Sequence, residues 1–431
     1  MPLPQDQPSS WTGWHASHPR NRGVTPASRL GMKVFPFNPS HAWRTSMHRL
    51  IRGAVIGGIL ATSLLGTSLG AVAASTGSGV IGHVYVNNNT AGHNTVSGFD
   101  RHADGTLTAI AGTPFDAGGA GTGSPIGSAG ALQLSGDGRY VLAVDAAAND
   151  ISVLKIRPDG SLRLVDETSS NGTTPISIAV HQQLVYVANT GAGGSNYTGF
   201  RLNAGGHLSA IQGSTVSLPD TALPGQVLFS GDGRHLVGTQ VGPSAGPSFI
   251  DSFSVGADGR LTAAPGSPFP AQKIGPFGSQ FRPTNPDQLF VSNAHDGGGN
   301  GTVSVYDVAS DGTLTAIAGS PFADFQTAPC WVAISHDGAY LYAINTGSSS
   351  VSSYNIAADA TLSLVGSTAL SGSGLRPFDA ALDPGDGYLY VVDAGVAKIT
   401  VFAVDGGTLT ELGTSPVPIP GGGAPFGIVV D

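Results

Sequence analysis

The sequence of 431 residues is poor in cysteine, in glutamate and in charge. Cys330 is its only cysteine, so no intramolecular disulfide can form, and this thiol beside a tryptophan is typical of a small packed side chain. Glu167 and Glu411 are its only glutamates, and charged residues make up 11% of the chain. The sequence also lacks an HExxH motif, paired CxxC motifs and a P-loop. We therefore expect no cofactor and no metal ion.

Long hydrophobic runs are missing too, apart from one stretch near the N-terminus. Residues 1–46 are rich in Pro, Ser, His and Arg without an apolar period, and we predict that they are disordered. A short basic stretch then precedes the uncharged residues 54–69, and the small residues Ala71-Val72-Ala73-Ala74 follow. This order predicts a secretory signal peptide over residues 47–74, and a membrane-anchoring helix over residues 54–73 is the alternative.

Positive charge is scarce beyond this leader. Seven of the 19 Lys and Arg residues but only one of the 28 acidic residues precede Ser75, so the rest of the chain carries 12 positive and 27 negative side chains, a net charge of −15. Such a surface repels phosphate backbones and offers no basic face to an anionic membrane. We expect a secreted or extracytoplasmic monomer with no nucleic-acid partner and no membrane contact beyond the possible anchor.

What the sequence does contain is a repeated strand phrase such as Leu184-Val185-Tyr186-Val187. Polar residues close most copies, and from Asn88 in the first to Asp393 in the last there are 305 residues over six intervals, a period of about 51. Asp-Gly pairs, which favour tight reversals, separate the strands within the repeats. A period of this length with several short strands per unit is typical of a β-propeller. The seven copies begin at His83, Tyr140, Leu184, His235, Gln288, Tyr340 and Tyr388.

The repeat predicts an all-β, seven-bladed β-propeller over residues 75–431, with four antiparallel strands in each blade. In blade 6 the four strands are expected at residues 329–335, 339–345, 351–356 and 361–364. The first copy begins directly at its tyrosine strand, and the last residues, 424–430, form an unmatched strand. We predict that this C-terminal strand pairs into blade 1 and closes the ring, because an open array would expose a sheet edge.

Propeller geometry brings the starts of first strands and the ends of second strands to one face. The residues at these places are aromatic and polar, and they predict a rim that binds a small polar or carbohydrate-like ligand, or a cell-surface partner. The alternative is that the Asn and Asp side chains only close turns at strand ends. The predicted ligand-binding rim consists of Asn88, Asp145, Asn189, Gln240, Phe277, Asn293, Trp331, Asn345, Phe378 and Phe426.

Three further residues of this face are candidates for catalysis. Arg376 could hold a carboxylate or phosphate in bidentate fashion, or it could form a salt bridge with Asp393 or Asp379. His295 follows a second strand, so it belongs to the same face. A relocated catalytic centre would use Arg376, His295 and Asp393.

With Tyr186-Val187-Ala188-Asn189, Phe290-Val291-Ser292-Asn293 and its Ser-x-Asp-Gly turns, the chain resembles the lactonase-like seven-bladed propellers. That family includes propeller-type 6-phosphogluconolactonases, carboxymuconate-lactonising enzymes and YVTN-repeat surface proteins. The resemblance implies a catalytic histidine, arginine and glutamate at the positions of Gly130, Gly225 and Val241. All three catalytic side chains are therefore missing.

Three functions stay open. The sequence favours a secreted binding scaffold of the lactonase-like type that lacks the catalytic His, Arg and Glu. The first alternative is a lactone hydrolase of the 6-phosphogluconolactonase type, an enzyme that would use the relocated centre. The second is a metal-assisted hydrolase that would use carboxylates of the rim.

Overall fold

The computed structural model of the chain describes residues 79–431, which lie in one compact unit, Ala74–Asp431. The predicted disordered extension (1–46) and signal peptide (47–74) lie outside the described residues. Seven antiparallel sheets form the described part, and its one helical element is a 3-10 turn at Asp220–Ala222. No helix within 79–431 is long and apolar enough to span a bilayer. The all-β, seven-bladed fold is confirmed.

Each blade runs from an inner first strand to an outer fourth strand. The first strands of blades 1 to 7 are Phe426–Val430, Leu132–Leu134, Pro175–His181, Pro224–Phe229, Pro276–Arg282, Pro329–Ile334 and Pro377–Leu382. The second strands are Val80–Asn87, Tyr140–Asp145, Leu184–Asn189, His235–Gln240, Asn285–Asn293, Tyr340–Asn345 and Tyr388–Asp393. The third strands are Thr95–His102, Asp150–Ile156, Asn196–Leu202, Phe249–Val255, Thr302–Val308, Ser350–Ile356 and Lys398–Asp405. The fourth strands are Leu107–Ala109, Leu162–Ser169, Leu208–Ala210, Leu261–Ala263, Leu314–Ala316, Leu362–Ala369 and Thr408–Glu411.

The outer edge is interrupted in five of the blades. Blades 2 and 6 have a continuous outer strand, whereas in the others a two-residue segment also pairs with the third strand. At the interruption a serine or threonine hydroxyl takes the place of the missing carbonyl, and Ser320 Oγ accepts the main-chain N–H of Val305 at 2.8 Å. The two-residue segments are Phe115–Asp116, Val216–Ser217, Phe269–Pro270, Phe322–Ala323 and Val417–Pro418.

Closure of the ring by the C-terminal strand is confirmed. Phe426–Val430 pairs antiparallel with Val80–Asn87 and forms the first strand of blade 1. The buried Arg101 of blade 1 donates to the main-chain oxygen of Asp431 at 2.6 and 3.1 Å, and it lies 3.5 Å from the Asp383 carboxylate of blade 7. Arg101 thus connects the C-terminal residue to the third strand of blade 1 and to blade 7.

The tyrosines of the repeated strand phrase connect neighbouring blades. In four blades the phenol donates to the carbonyl of the glycine in the next blade's Asp-Gly turn. The two most conspicuous signals in the sequence are therefore the two halves of one contact between blades, while apolar side chains fill the space between the sheets. The pairs are Tyr85 with Gly160 at 2.8 Å, Tyr186 with Gly259 at 2.8 Å, Tyr342 with Gly406 at 2.6 Å and Tyr390 with Gly105 at 3.1 Å.

Candidate functional site: the axial channel and its two ends

The strand register brings the predicted rim residues to one end of the axial channel. In blades 3 to 7 the proline that begins the first strand lies opposite the polar residue that ends the second strand. In blade 1 the residue in this register is Asn87, opposite Phe426, and Asn88 follows it. The five pairs are Pro175 with Asn189, Pro224 with Gln240, Pro276 with Asn293, Pro329 with Asn345 and Pro377 with Asp393.

The polar side chains of this end are buried rather than presented to solvent. None of the seven is more than 5% exposed: Asn88, Asp145, Asn189, Gln240, Asn293, Asn345 and Asp393. Most bond to the third strand of their own blade, and Asn345 donates to the hydroxyls of Ser350 and Ser352 at 3.1 and 2.9 Å. Asn293 does the same with Thr302 and Ser304. These side chains therefore hold the loops that follow the second strands.

The remaining amides of the set have comparable partners. Asn88 donates to the Thr95 hydroxyl at 2.8 Å and to the main-chain oxygen of Pro420 at 3.1 Å. Asn189 donates to Asn196 at 2.9 Å, and Gln240 donates to Asp251 at 2.8 Å. Each blade thus supplies an acceptor for the NH₂ group of its own amide, whereas the side-chain oxygens of Asn189, Asn293 and Asn345 are buried without a partner among the described residues.

The two rim carboxylates are also enclosed. Asp145 accepts hydrogen bonds from Ser152 and Asn94, and burial raises its pKa to about 7. Asp393 accepts the main-chain N–H groups of Arg376 and Gly395 at 2.7 and 3.2 Å, and burial raises its pKa. Within residues 79–431 no group of three or more His, Cys, Asp and Glu side chains is placed to hold a metal ion.

The aromatic residues of the rim pack inward and fill the channel mouth. Phe277, Cys330 and Ala129 belong to one buried apolar cluster, against which Trp331 and Phe378 pack. Phe378 also packs against the fully buried Phe426, with ring centroids 4.7 Å apart and the ring planes tilted by 44°. Burial raises the pKa of the Cys330 thiol to about 11, so it behaves as the packed side chain that the sequence suggests. We call Ala129, Phe277, Cys330, Phe378 and Phe426 the mouth plug.

The connection from blade 1 to blade 2 completes the mouth plug by crossing the channel. Ala129 donates its main-chain N–H to Gly225 of blade 4 at 2.9 Å. Gly130 accepts the N–H of Ile178 of blade 3 at 2.9 Å and donates its own N–H to Asp379 of blade 7 at 3.2 Å. One short segment thus bonds to first strands on opposite sides of the axis, and it closes this end of the channel.

Asp379 is the residue that joins the mouth plug to the ring closure, a role that no sequence pattern predicts. Its two carboxylate oxygens accept the main-chain N–H groups of Gly130 and Gly427, the latter in the closing strand. The side chain is 1% exposed, and burial raises its pKa to about 6. No motif marks such a residue, because its partners are main-chain groups far away in the sequence.

In the described part of the chain the side chains of the three candidates for catalysis are not joined by hydrogen bonds or ion pairs. Arg376 is exposed, and neither Asp393 nor Asp379 forms an ion pair with its guanidinium among the described residues; its main-chain N–H alone binds Asp393. His295 lies in blade 5 against Gly275, and burial lowers its pKa. No hydrogen bond or ion pair of the described part connects it with Arg376 or Asp393.

Beyond the mouth plug, the other half of the channel is hollow. A cavity of about 320 Å³ lies between the first strands of six blades. Its lining runs from Gln133, Gln226 and Trp331 at mid-strand to Leu228 and Leu382 at the strand ends. Because the mouth is filled, this cavity opens at the end where the first-to-second-strand turns lie.

This architecture agrees with the comparison to known protein families. The family profile described as "Lactonase, 7-bladed beta-propeller" matches residues 82–262 and 280–425. The chain belongs to this lactonase family. No curated protein matches the chain.

Several solved structures have the same fold. A Bacteroides fragilis protein assigned provisionally as a 6-phosphogluconolactonase is 21% identical, with a TM-score of 0.65 over 81% of this chain and 98% of that one. The periplasmic gluconolactonase of Pseudomonas aeruginosa is 19% identical, with a TM-score of 0.63 over 81% and 98%. A Lactobacillus plantarum protein is 19% identical, with a TM-score of 0.64 over 81% and 99%. At these identities the likeness concerns the fold.

The positions at which the resemblance implies the lactonase catalytic residues all fall in or beside the mouth plug. Gly130 has a φ of +80°, a conformation that a histidine adopts only with strain. Gly225 uses its carbonyl to hold Ala129. Val241 is a buried member of the apolar cluster around Phe277. All three residues are thus held by apolar packing, main-chain hydrogen bonds or a left-handed backbone conformation.

Proposed function

We propose that this lactonase-family propeller is a secreted binding protein without the hydrolytic centre of its family. One observation carries the proposal: residues 126–131 and the mouth plug fill the end of the channel where the family's catalytic side chains are implied. The three implied positions, Gly130, Gly225 and Val241, contribute no acid, base or cation.

Lactone hydrolysis needs a base to activate water and an electrophilic group near the developing oxyanion. Asp379, a carboxylate on the first strand of blade 7, is buried and already accepts two main-chain N–H groups. Asp145 and Asp393 are equally enclosed. With its carboxylates enclosed in this way, the closed end is suited to holding the ring together.

A second candidate function is lactone hydrolysis at the rim, and one observation favours it. Arg376 is an exposed cation beside the mouth plug with no ion pair among the described residues, so its guanidinium is free to hold a carboxylate or phosphate. One structural neighbour, from Pseudomonas aeruginosa, is described as a periplasmic gluconolactonase. This alternative needs Arg376 for activity.

The two functions are separated by following acid release from glucono-δ-lactone and from its 6-phosphate. We expect the rate with the full chain to equal the rate in buffer, and Arg376→Ala to change nothing. The matched control is Arg163→Ala, which removes an exposed arginine of an outer strand. A saturable rate that Arg376→Ala abolishes and Arg163→Ala preserves would replace the binding proposal with the hydrolase.

Secretion is tested separately. Expression in a bacterial host with a secretion pathway, followed by N-terminal sequencing of the exported protein, should give a mature chain that begins at Ser75. Retention of an uncleaved chain in the membrane fraction would instead support the anchor over residues 54–73.

A further inference from the structure

The hollow half of the channel has polar walls with unused hydrogen-bonding capacity. Gln226 accepts the main-chain N–H and the hydroxyl of Ser279 through its side-chain oxygen. Gln280 likewise accepts the N–H of Ile334 at 2.8 Å. In both, the bond fixes the amide oxygen toward the next blade, and the NH₂ group has no acceptor among the hydrogen bonds of the described residues.

Burial makes these free NH₂ groups informative. Gln226 is only 3% exposed and borders the cavity, so its donors have no access to bulk water on other sides. Gln133, on the first strand of blade 2, also lines the cavity, and its side chain has no hydrogen-bond partner among residues 79–431. None of these NH₂ groups is sealed off from the cavity, so they are free to donate to a ligand that supplies acceptors.

One aromatic side chain separates this cavity from the mouth plug. Trp331 packs against the cluster around Cys330 and also lines the cavity. It is half-buried, so part of the indole is open to the hollow. An indole ring offers a flat apolar surface beside the polar amides.

The cavity carries no free charge. His336 is the one titratable residue that lines it, and its Nδ1 atom lies 2.6 Å from the Asp386 carboxylate. Arg376 belongs to the other end of the channel, beyond the mouth plug. A charged ligand would therefore lose its hydration without gaining a counter-charge, which favours a neutral ligand.

We propose that the channel cavity is a binding site for a neutral polyhydroxylated ligand of monosaccharide size. The NH₂ groups of Gln133, Gln226 and Gln280 donate to ligand oxygens, and the indole of Trp331 covers an apolar ring face. A volume of about 320 Å³ lies at the small end of ligand pockets. The inference rests on the proposed binding function and assigns it to the end of the channel opposite the predicted rim.

The experiment is calorimetric titration of the full chain with D-glucose, D-glucitol and, as an anionic comparison, D-gluconate. We expect saturable binding of at least one neutral probe and weaker or no binding of gluconate. Gln133→Leu should weaken the affinity about fivefold to tenfold through loss of one buried hydrogen bond, without changing the thermal unfolding midpoint. The matched control is Gln183→Leu, an exposed glutamine of a turn outside the cavity, which should bind like the parent.

Trp331→Phe gives an independent readout. The difference in emission between the parent and Trp331→Phe reports this indole alone, and it should change along the same binding curve as the calorimetric signal. The proposal is overturned if neither neutral probe binds saturably at millimolar concentration. It is also overturned if the binding affinity is the same in the parent, Gln133→Leu and Trp331→Phe.

Failure of the inference and failure of the proposed function are distinguishable. Binding lost in Arg376→Ala but kept in Gln133→Leu would place the ligand at the rim, which keeps a binding function and overturns the channel site. Lactone hydrolysis that depends on Arg376, together with channel binding that depends on Gln133, would overturn the proposed absence of hydrolysis and leave the channel site standing.

Discussion

The two ends of the axial channel are built from the same seven first strands, yet they treat polar groups in opposite ways. At the closed end the rim amides donate within their own blade, and the atoms that keep no partner among the described residues, such as the side-chain oxygens of Asn293 and Asn345, are sealed inside the structure. At the open end the NH₂ groups of Gln226 and Gln280 and the side chain of Gln133 have no partner among the described residues and border a cavity. A candidate site in this molecule is marked by unused hydrogen-bonding groups that face a cavity rather than by the number of polar residues.

The largest expected effect comes from disturbing the closed end at Gly427. This glycine has a φ of +80°, and a Cβ there would lie 2.5 Å from the main-chain nitrogen of Leu132. Gly427→Ala should therefore lower the free energy of unfolding by about 3–5 kcal/mol, measured by urea unfolding.

The control is Gly138→Ala at the open end, where φ is +67° and a Cβ meets nothing within 4 Å. Only the backbone strain remains there, so Gly138→Ala should lower the free energy of unfolding by about 1 kcal/mol. Equal losses at the two glycines would show that the closed end is no more tightly packed than an exposed turn.

The next effect is a pH dependence that arises from Asp379. Burial raises the pKa of this carboxyl to about 6 in the folded protein, above its ordinary value near 4, so the folded state binds the extra proton. The extra proton therefore stabilises the folded state fully below about pH 4, and this stabilisation is lost as the pH rises through 6. The free energy of unfolding should fall by about 3 kcal/mol over this range. The measurement is urea unfolding at several pH values between 4 and 7.5.

Asp379→Asn removes the titration but keeps one oxygen acceptor. As the pH rises, the parent should lose unfolding free energy relative to this variant. Other acids contribute equally to both proteins, so their contributions cancel in the difference. A difference that stays flat across this range would mean that Asp379 is not protonated in the folded protein.

A smaller effect is expected where blades meet outside the channel. Tyr342→Phe removes the hydroxyl that donates to the Gly406 carbonyl at 2.6 Å, and it should cost about 1 kcal/mol of unfolding free energy. Blade 5 already has Phe290 in the matching strand position, so the ring itself is tolerated. Phe290→Tyr provides the reverse change, and a gain there without a loss at Tyr342 would contradict the role given to the hydroxyl.

The sequence predicted the ring, its closure and the shared end of the rim residues because these depend on local and periodic signals. Strand alternation, Asp-Gly turns and the unmatched C-terminal strand each indicate which other segment of the repeat they pair with. Exposure of the rim was not predictable in the same way. It depends on third-strand hydroxyls such as those of Ser350 and Ser352, which lie five and seven residues after Asn345, and on residues 127–131, whose small side chains fit the narrow mouth.

The smallest effect is expected at Arg376, and it sharpens the contrast between the two ends. Its guanidinium has no ion pair among the described residues, so Arg376→Ala should change the free energy of unfolding by less than about 0.5 kcal/mol. The neighbouring Asp393→Ala, by contrast, deprives two main-chain N–H groups of their acceptor and should cost about 2–4 kcal/mol. Urea unfolding of the two variants side by side checks both values. A loss at Arg376 as large as the loss at Asp393 would mean that the arginine belongs to the framework of the closed end and is not free to meet a ligand.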